Sequence, residues 1–306
     1  MMWLAGWMGA VAVAAPDVAA ETVEALRDLE VQQQVTVKDP GAKPRQKLKL
    51  KPKPGTVARF ETKQRQNLTM SMTLPNGQTQ TLPGGMDSTT TFVMRHEVGK
   101  ALKDGTIPVS VVVEDLRAET SNPQVQAAVE SALQPMKGLG YRILVDRKGT
   151  VAQVDVGLDD PQMQAAIQNL ADQTTLWLSQ YPLQPLGKGA ELLGIIDMDF
   201  GFMALTAEQT GIITAMADDK VSADVSFTMK PKGTPDMSGM LPPGADVQVS
   251  EVNSTGSGQQ TVDLKTLGWT GTYNIESDFV MSLSAEGQTM TMTMAIEQSV
   301  TSTALP

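Results

Sequence analysis

Past residue 45, apolar and polar side chains alternate with a period of two, and this pattern constrains the fold more than any other feature of the chain. Period two is the signature of a strand with one buried face, because successive side chains point to opposite sides of a pleated backbone. From Val221 to Met229, the odd positions Val221, Ala223, Val225, Phe227 and Met229 share one face. Ser222, Asp224, Ser226 and Thr228 share the other. Met290, Met292, Met294 and Ile296 alternate in the same way with Thr289, Thr291 and Thr293, as do Leu68, Met70, Met72 and Leu74 with Thr69, Ser71 and Thr73. A helix would scatter these side chains around its axis.

Turn chemistry separates the runs. Pro75-Asn76-Gly77 carries the Asn-Gly pair favoured in two-residue hairpins. Asp146–Gly149, Ala217–Lys220 and Ala285–Gln288 each divide two alternating runs. Short links between sequence neighbours imply antiparallel pairing and a meander. Pro231–Asp246 is the longest expected loop, and the Gly/Ser-rich Ser254–Gly258 reads as a second, shorter one.

Two segments change period. Asn122-Pro123 reads as an N-cap followed by proline at the first helical position, and Val125, Ala128, Val129, Ala132, Leu133 and Met136 then recur at helical spacing. Asp160-Pro161 opens a second stretch in the same way, with a stripe that Pro182 ends. At 1.5 Å per residue, 161–181 would be about 30 Å long, enough to lie along a whole strand. The expected class is therefore α+β: a long curved antiparallel sheet, a half-barrel-like meander, with helices at 123–136 and 161–181 covering one face.

Composition narrows the chemistry. Among 306 residues there is no cysteine and one histidine, which excludes thiolate sites, disulfides and multi-histidine metal centres. A formal net charge of −10 gives no general attraction for nucleic acid. His96 follows Phe92-Val93-Met94-Arg95 on an expected strand, where parity groups it with Met94 and Val98, and no serine motif or carboxylate partner marks it as a base. Asp197 and Asp199 would lie about 7 Å apart on one strand face. Hydration of a solvent face explains them as well as a cation would, and Asp159-Asp160 and Asp218-Asp219 belong to a cap and a turn. No catalytic residue, metal site or cofactor is expected.

The first twenty residues differ from the rest. Met1–Ala15 is an apolar run, and Val18-Ala19-Ala20 supplies small residues of the kind that precede signal cleavage. The run is shorter than the ~20 residues of a membrane-spanning helix, and no later segment qualifies as a transmembrane span. The expected organisation is a signal peptide at 1–20, an N-terminal extension at 21–43 and a single β-rich domain at 44–304. The protein would be exported, to the periplasm or beyond.

A signal-like start, a Lys/Leu-alternating stretch ending in Pro54-Gly55 and Thr/Met-alternating hairpins come in that order. Two capped helices around the strand pair 141–156, then Leu186-Gly187-Lys188-Gly189, and a close on Gly287-Gln288-Thr289-Met290-Thr291-Met292-Thr293-Met294 complete the layout. This layout resembles a family of secreted bacterial proteins catalogued as a domain of unknown function, over most of residues 45–303. Gly189-Ala190-Glu191 departs from it where the family carries an aromatic residue. More distantly, the layout is similar to the outer-membrane lipoprotein carriers and other lipid-handling half-barrels. The resemblance implies an envelope location and carries over no active site.

Two further features bear on function. Lys47, Lys49 and Lys51 alternate with Leu48 and Leu50, so that a positive stripe could dock an anionic headgroup or acidic partner, or simply guard an edge strand. Methionine is abundant, 19 against six phenylalanines, and suits surfaces that accept varied apolar ligands as well as a packed core. The leading expectation is a non-catalytic envelope protein that holds a lipid or other lipophilic small molecule between sheet and helices. Met163, Ile167, Leu170, Trp177 and Leu178 would line that space. The alternative is a structural or adhesive surface protein with a fully packed core.

Overall fold

The computed structural model describes residues 33–50, 52–81, 86–121, 126–127, 129–130, 133–145, 151–155, 184–199, 204–217, 219–232, 246–285 and 288–306. The described residues form one antiparallel sheet whose strands, in chain order, are β1 (Gln33–Asp39), β2 (Val57–Thr73), β3 (Thr79–Thr81), β4 (Met86–Val98), β5 (Ile107–Thr120), β6 (Gly140–Val145), β7 (Val151–Asp155), β8 (Glu191–Asp199), β9 (Ala204–Ala217), β10 (Lys220–Pro231), β11 (Asp246–Asp263), β12 (Trp269–Ala285) and β13 (Gln288–Leu305). Across the sheet the order is β1-β8-β9-β10-β11-β12-β13-β2-β4-β5-β6-β7, with β3 paired to β2 alone.

The strands follow the alternation. Val221 and Val225 are buried on β10 while Asp224 and Ser226 are exposed. The hairpins form where the turn residues stand: Leu74 and Gln78 are bonded across Asn76-Gly77, with Gly77 at φ 80°. Ala217 pairs with Lys220, and Ala285 with Gln288. Consecutive strands from β8 to β13 form one meander, and β2, β4, β5, β6 and β7 form another. The β13–β2 ladder, from Thr291↔Thr73 to Leu305↔Arg59, joins the two.

The α+β class is not what forms. The described residues are nearly all antiparallel sheet, and helical turns among them are confined to the connector between β5 and β6. There residues 126–127, 129–130 and 133 are helical and a 3-10 turn covers Gln134–Met136. The helix expected at 161–181 lies outside the described residues. Capping signals at Asn122-Pro123 are local, and they announce a connector as readily as a covering layer.

Three other expectations need correcting. Among the described residues the sheet already includes β1, inside the expected extension, where Val35 and Val37 pair with Gly194 and Leu192 of β8. Ser254–Gly258 is the middle of β11 rather than a loop. The lysine stripe is not a strand. Residues 47–50 belong to no strand, and the isolated bridge here is that of Gln46 to Leu186.

Open twisted sheets beyond ~10 strands curl, split or flatten. Leu50 packs against clusters from both halves of this sheet, so the face they share is the inner one; it carries the core, and the core gathers at one end of the strands. One cluster holds Val109, Val111, Val113, Leu139, Tyr141 and Ile143 of the β4–β6 side, with Leu267. The other holds Leu186, Ala190, Ile213, Val225, Trp269 and Tyr273 of the β8–β13 side. Residues 40–50 and 52–56 cross between them. Leu48 is buried in the second cluster and Leu50 packs against both. Backbone bonds from Ala42 to Lys188 (2.8 Å) and from Gly187 to Pro40 (2.9 Å) fasten the crossing segment at its start, and Gly55 to Val98 (2.8 Å) fastens its end.

Aromatic rings seated on glycines let this end close. Phe60 lies where a Gly268 side chain would sit, Phe227 covers Gly256, and Tyr273 covers Gly258. Tyr273 is fully buried, donates its hydroxyl proton to Gln260 Oε1 at 2.7 Å and meets Trp269 edge-on at 5.6 Å.

Candidate binding face

The functional surface has to be sought along the inner face, because the long strands reach far past the packed end. At ~3.3 Å per residue, the 18 residues of β13 span about 60 Å. Pairing registers divide that face into zones. Next to the packed end, one cross-strand row contains Ile275, Gln298, Gln66 and Ser88. The rows beside it add Gln64, Thr90 and the Ser254–Ser277 pair, whose hydroxyls lie 2.7 Å apart. Apart from Ile275, these form a belt of uncharged hydrogen-bonding groups.

Beyond the belt the face turns apolar again. Ser277, Ile296 and Leu68 are aligned; then Phe279, Met294 and Met70; then Met281, Met292 and Met72. Each apolar member of these rows is half-buried, which leaves part of its surface open to water. On the reverse side the same strands present Thr69, Ser71, Thr73, Thr291 and Thr293, so alternation has placed thioethers on one face and hydroxyls on the other.

Among the described residues, charge is absent from the inner face of the central strands. On β2, β4, β10, β12 and β13 every charged residue has the opposite parity, among them Arg59, Glu61, Lys63, Arg65, Glu276, Asp278 and Glu297. The ion pairs sit on that outer side as well. Arg59 meets Glu114 at 2.7 Å, and Lys137 (2.8 Å) together with Arg117 holds the Asp115 carboxyl down at about 2. The outer face also bears a polar groove of about 610 Å³ across β10–β12, whose groups already pair with one another: Ser222 with Thr261 at 2.8 Å, and Gln259 with Asp224 at 3.0 Å.

His96 lies on the inner face of β4 as parity required, buried between Met94 and Val98 and 5.1 Å from the Phe60 ring. Neither ring nitrogen has a hydrogen-bond partner, and burial pushes its pKa down from 6.5 to about 4. The folded chain therefore refuses a proton that the unfolded chain accepts below pH 6.5. Stability from this residue is complete above that pH and is lost as pH falls toward 4, roughly 3 kcal/mol in all. His96→Phe should remove about 2 kcal/mol of the stability difference between pH 7.5 and pH 5. Urea midpoints of both proteins at the two pH values measure it, and equal pH slopes would refute it.

The other singled-out residues fall in different places. Lys47 and Lys49 are exposed to solvent along the crossing segment rather than on an edge strand, and Lys51 lies outside the described residues. Asp197 and Asp199 are in β8, with side chains outside the description, and Asp219 pairs with Lys265 at 2.9 Å. Met163, Ile167, Leu170, Trp177 and Leu178, with Asp159 and Asp160, lie outside the described residues. The polar belt was missed in the sequence, although Gln64 and Gln66 occupy the same parity as Leu68, Met70 and Met72 and were open to the same reading.

No protein-family model matches the chain, and no curated protein matches it. Among solved structures it is similar to an outer membrane channel, COG4313, from Pseudomonas putida F1, at 11% identity and a TM-score of 0.20, over 83% of this chain and 97% of that one. It is also similar to OccK11 (OpdR) of Pseudomonas aeruginosa, at 7% identity and a TM-score of 0.20, over 83% and 99%. Such TM-scores are too low for either channel to inform the function of this chain.

Proposed function

We propose that this chain is a non-catalytic protein of the bacterial envelope that binds a lipophilic molecule along the Met-rich part of its inner sheet face. The observation that carries the proposal is the uncharged inner face, apolar and half-exposed over β12, β13 and β2 at Phe279, Met281, Met294, Met292, Met70 and Met72. Exposed contiguous apolar surface marks a place where something binds. Methionine adapts to ligands of irregular shape, and each buried CH₂ of an acyl chain contributes about 0.8 kcal/mol before ordering costs. The Gln64, Gln66 and Gln298 amides at the base of the patch suit the polar end of such a ligand.

The test pairs native mass spectrometry of the purified chain with titration of a fluorescent fatty-acid analogue. Met70→Asp and Met294→Asp, which put charge on the neutral face, should each weaken probe binding at least tenfold while strand content is retained. A folded wild-type chain that neither carries an extractable lipophile nor takes up the probe would overturn the proposal and favour a role in surface interaction.

A further inference from the structure

We propose that Met70, Met72, Met292 and Met294 form a binding site for a soft monovalent metal ion, Cu(I) or Ag(I). Met72 pairs with Met292 and Met70 with Met294 on adjacent strands, all on the inner face and all half-exposed. Cross-strand neighbours stand about 5 Å apart and same-face residues of one strand about 7 Å apart, so the four α-carbons mark the corners of a rectangle. Its centre is about 4 Å, measured in the sheet plane, from each corner. A methionine side chain leaning inward by about 2 Å brings its sulfur within the ~2.3 Å of a metal–sulfur bond. Four thioethers can therefore converge on one ion.

Ligand chemistry selects the ion. Thioethers are soft and neutral, and they favour Cu(I) over hard cations. This face offers no carboxylate to a calcium or magnesium ion, since the charged residues of β2 and β13 lie on the reverse side. Met281 stands beside Met292 on β12 and can replace one of the four ligands. Because thioethers carry no proton to displace, affinity stays constant from pH 8 to pH 5, unlike that of imidazole or thiolate sites.

The site shares residues with the lipophile-binding face but does not rest on that reading: metal titration without any lipophile reads the sulfurs, and Met→Leu substitution removes them. Leucine keeps the volume and apolar character while removing sulfur. The experiment titrates the full chain with Ag(I), and anaerobically with Cu(I) against a competing chelator, while following the methionine methyl signals by NMR. The expected result is one ion per chain, shifts concentrated at these four methyls, and at least a hundredfold weaker metal binding in the M70L/M72L/M292L/M294L variant, whose strand content by circular dichroism matches that of the wild type. Absence of binding, equal binding by the variant, or shifts confined to other methionines would overturn the metal site and leave the lipophile proposal standing. If the fourfold variant does not fold, Met72→Leu and Met292→Leu are read singly, and wild-type X-ray absorption must show sulfur neighbours; oxygen or nitrogen alone refutes the site.

Discussion

Tyr273→Ala should lower the free energy of unfolding by about 3–5 kcal/mol, the range for removing a large buried aromatic side chain. Tyr273 is fully buried, covers Gly258 of the neighbouring strand, meets Trp269 edge-on and donates to the buried Gln260. Truncation leaves a void with glycine on its far wall, and glycine has no side chain to move in. Tyr273→Phe keeps the ring and removes only the donor to Gln260, so it should cost about 1–3 kcal/mol. Denaturant midpoints of both variants give the comparison. Equal losses for the two would mean that the hydroxyl, rather than the ring on the glycine, holds this end together.

Gly258→Val should be at least as damaging, about 3 kcal/mol or more, through overpacking that no rotamer relieves. A Cβ at this position would meet the Thr272 carbonyl oxygen and stand 2.8 Å from the Tyr273 α-carbon, both of them backbone atoms. Gly211→Ala is the control, since a Cβ there meets nothing within 4 Å. It should shift the midpoint by less than about 1 kcal/mol. Thermal unfolding followed by circular dichroism distinguishes the two, and a Gly258→Val protein as stable as the wild type would refute the close contact between β11 and β12.

These two sites show why part of the fold was hidden in the sequence. Ser254-Thr255-Gly256-Ser257-Gly258 reads as a loop, because Gly and Ser ordinarily weaken a strand. What makes it a strand is the pair of rings, Phe227 and Tyr273, lying over its glycines from β10 and β12. The Lys/Leu alternation at 47–50 misled in the opposite sense. Leu48 and Leu50 do turn inward, but toward two core clusters from a crossing segment with no continuous partner strand. The inward side of His96 was legible from Met94 and Val98, whereas its lack of any hydrogen-bond partner was not.

Within the candidate face, the Met/Thr alternation of residues 68–73 and 289–296 is enough to assign each strand its two chemistries. It does not reveal that the two strands, more than two hundred residues apart, lie side by side with Met72 against Met292 and Met70 against Met294.

Sequence by itself determined the strongly alternating strands, several of the short hairpin turns and which side of those strands is apolar, because alternation and turn residues act through local backbone geometry. Only the tertiary structure decided that β13 closes against β2, that β1 crosses to β8, and that the core fills one end and leaves the methionines of the other half-open. Those outcomes depend on packing and register between segments remote in the chain, and a period of two has the same appearance whichever strand lies alongside.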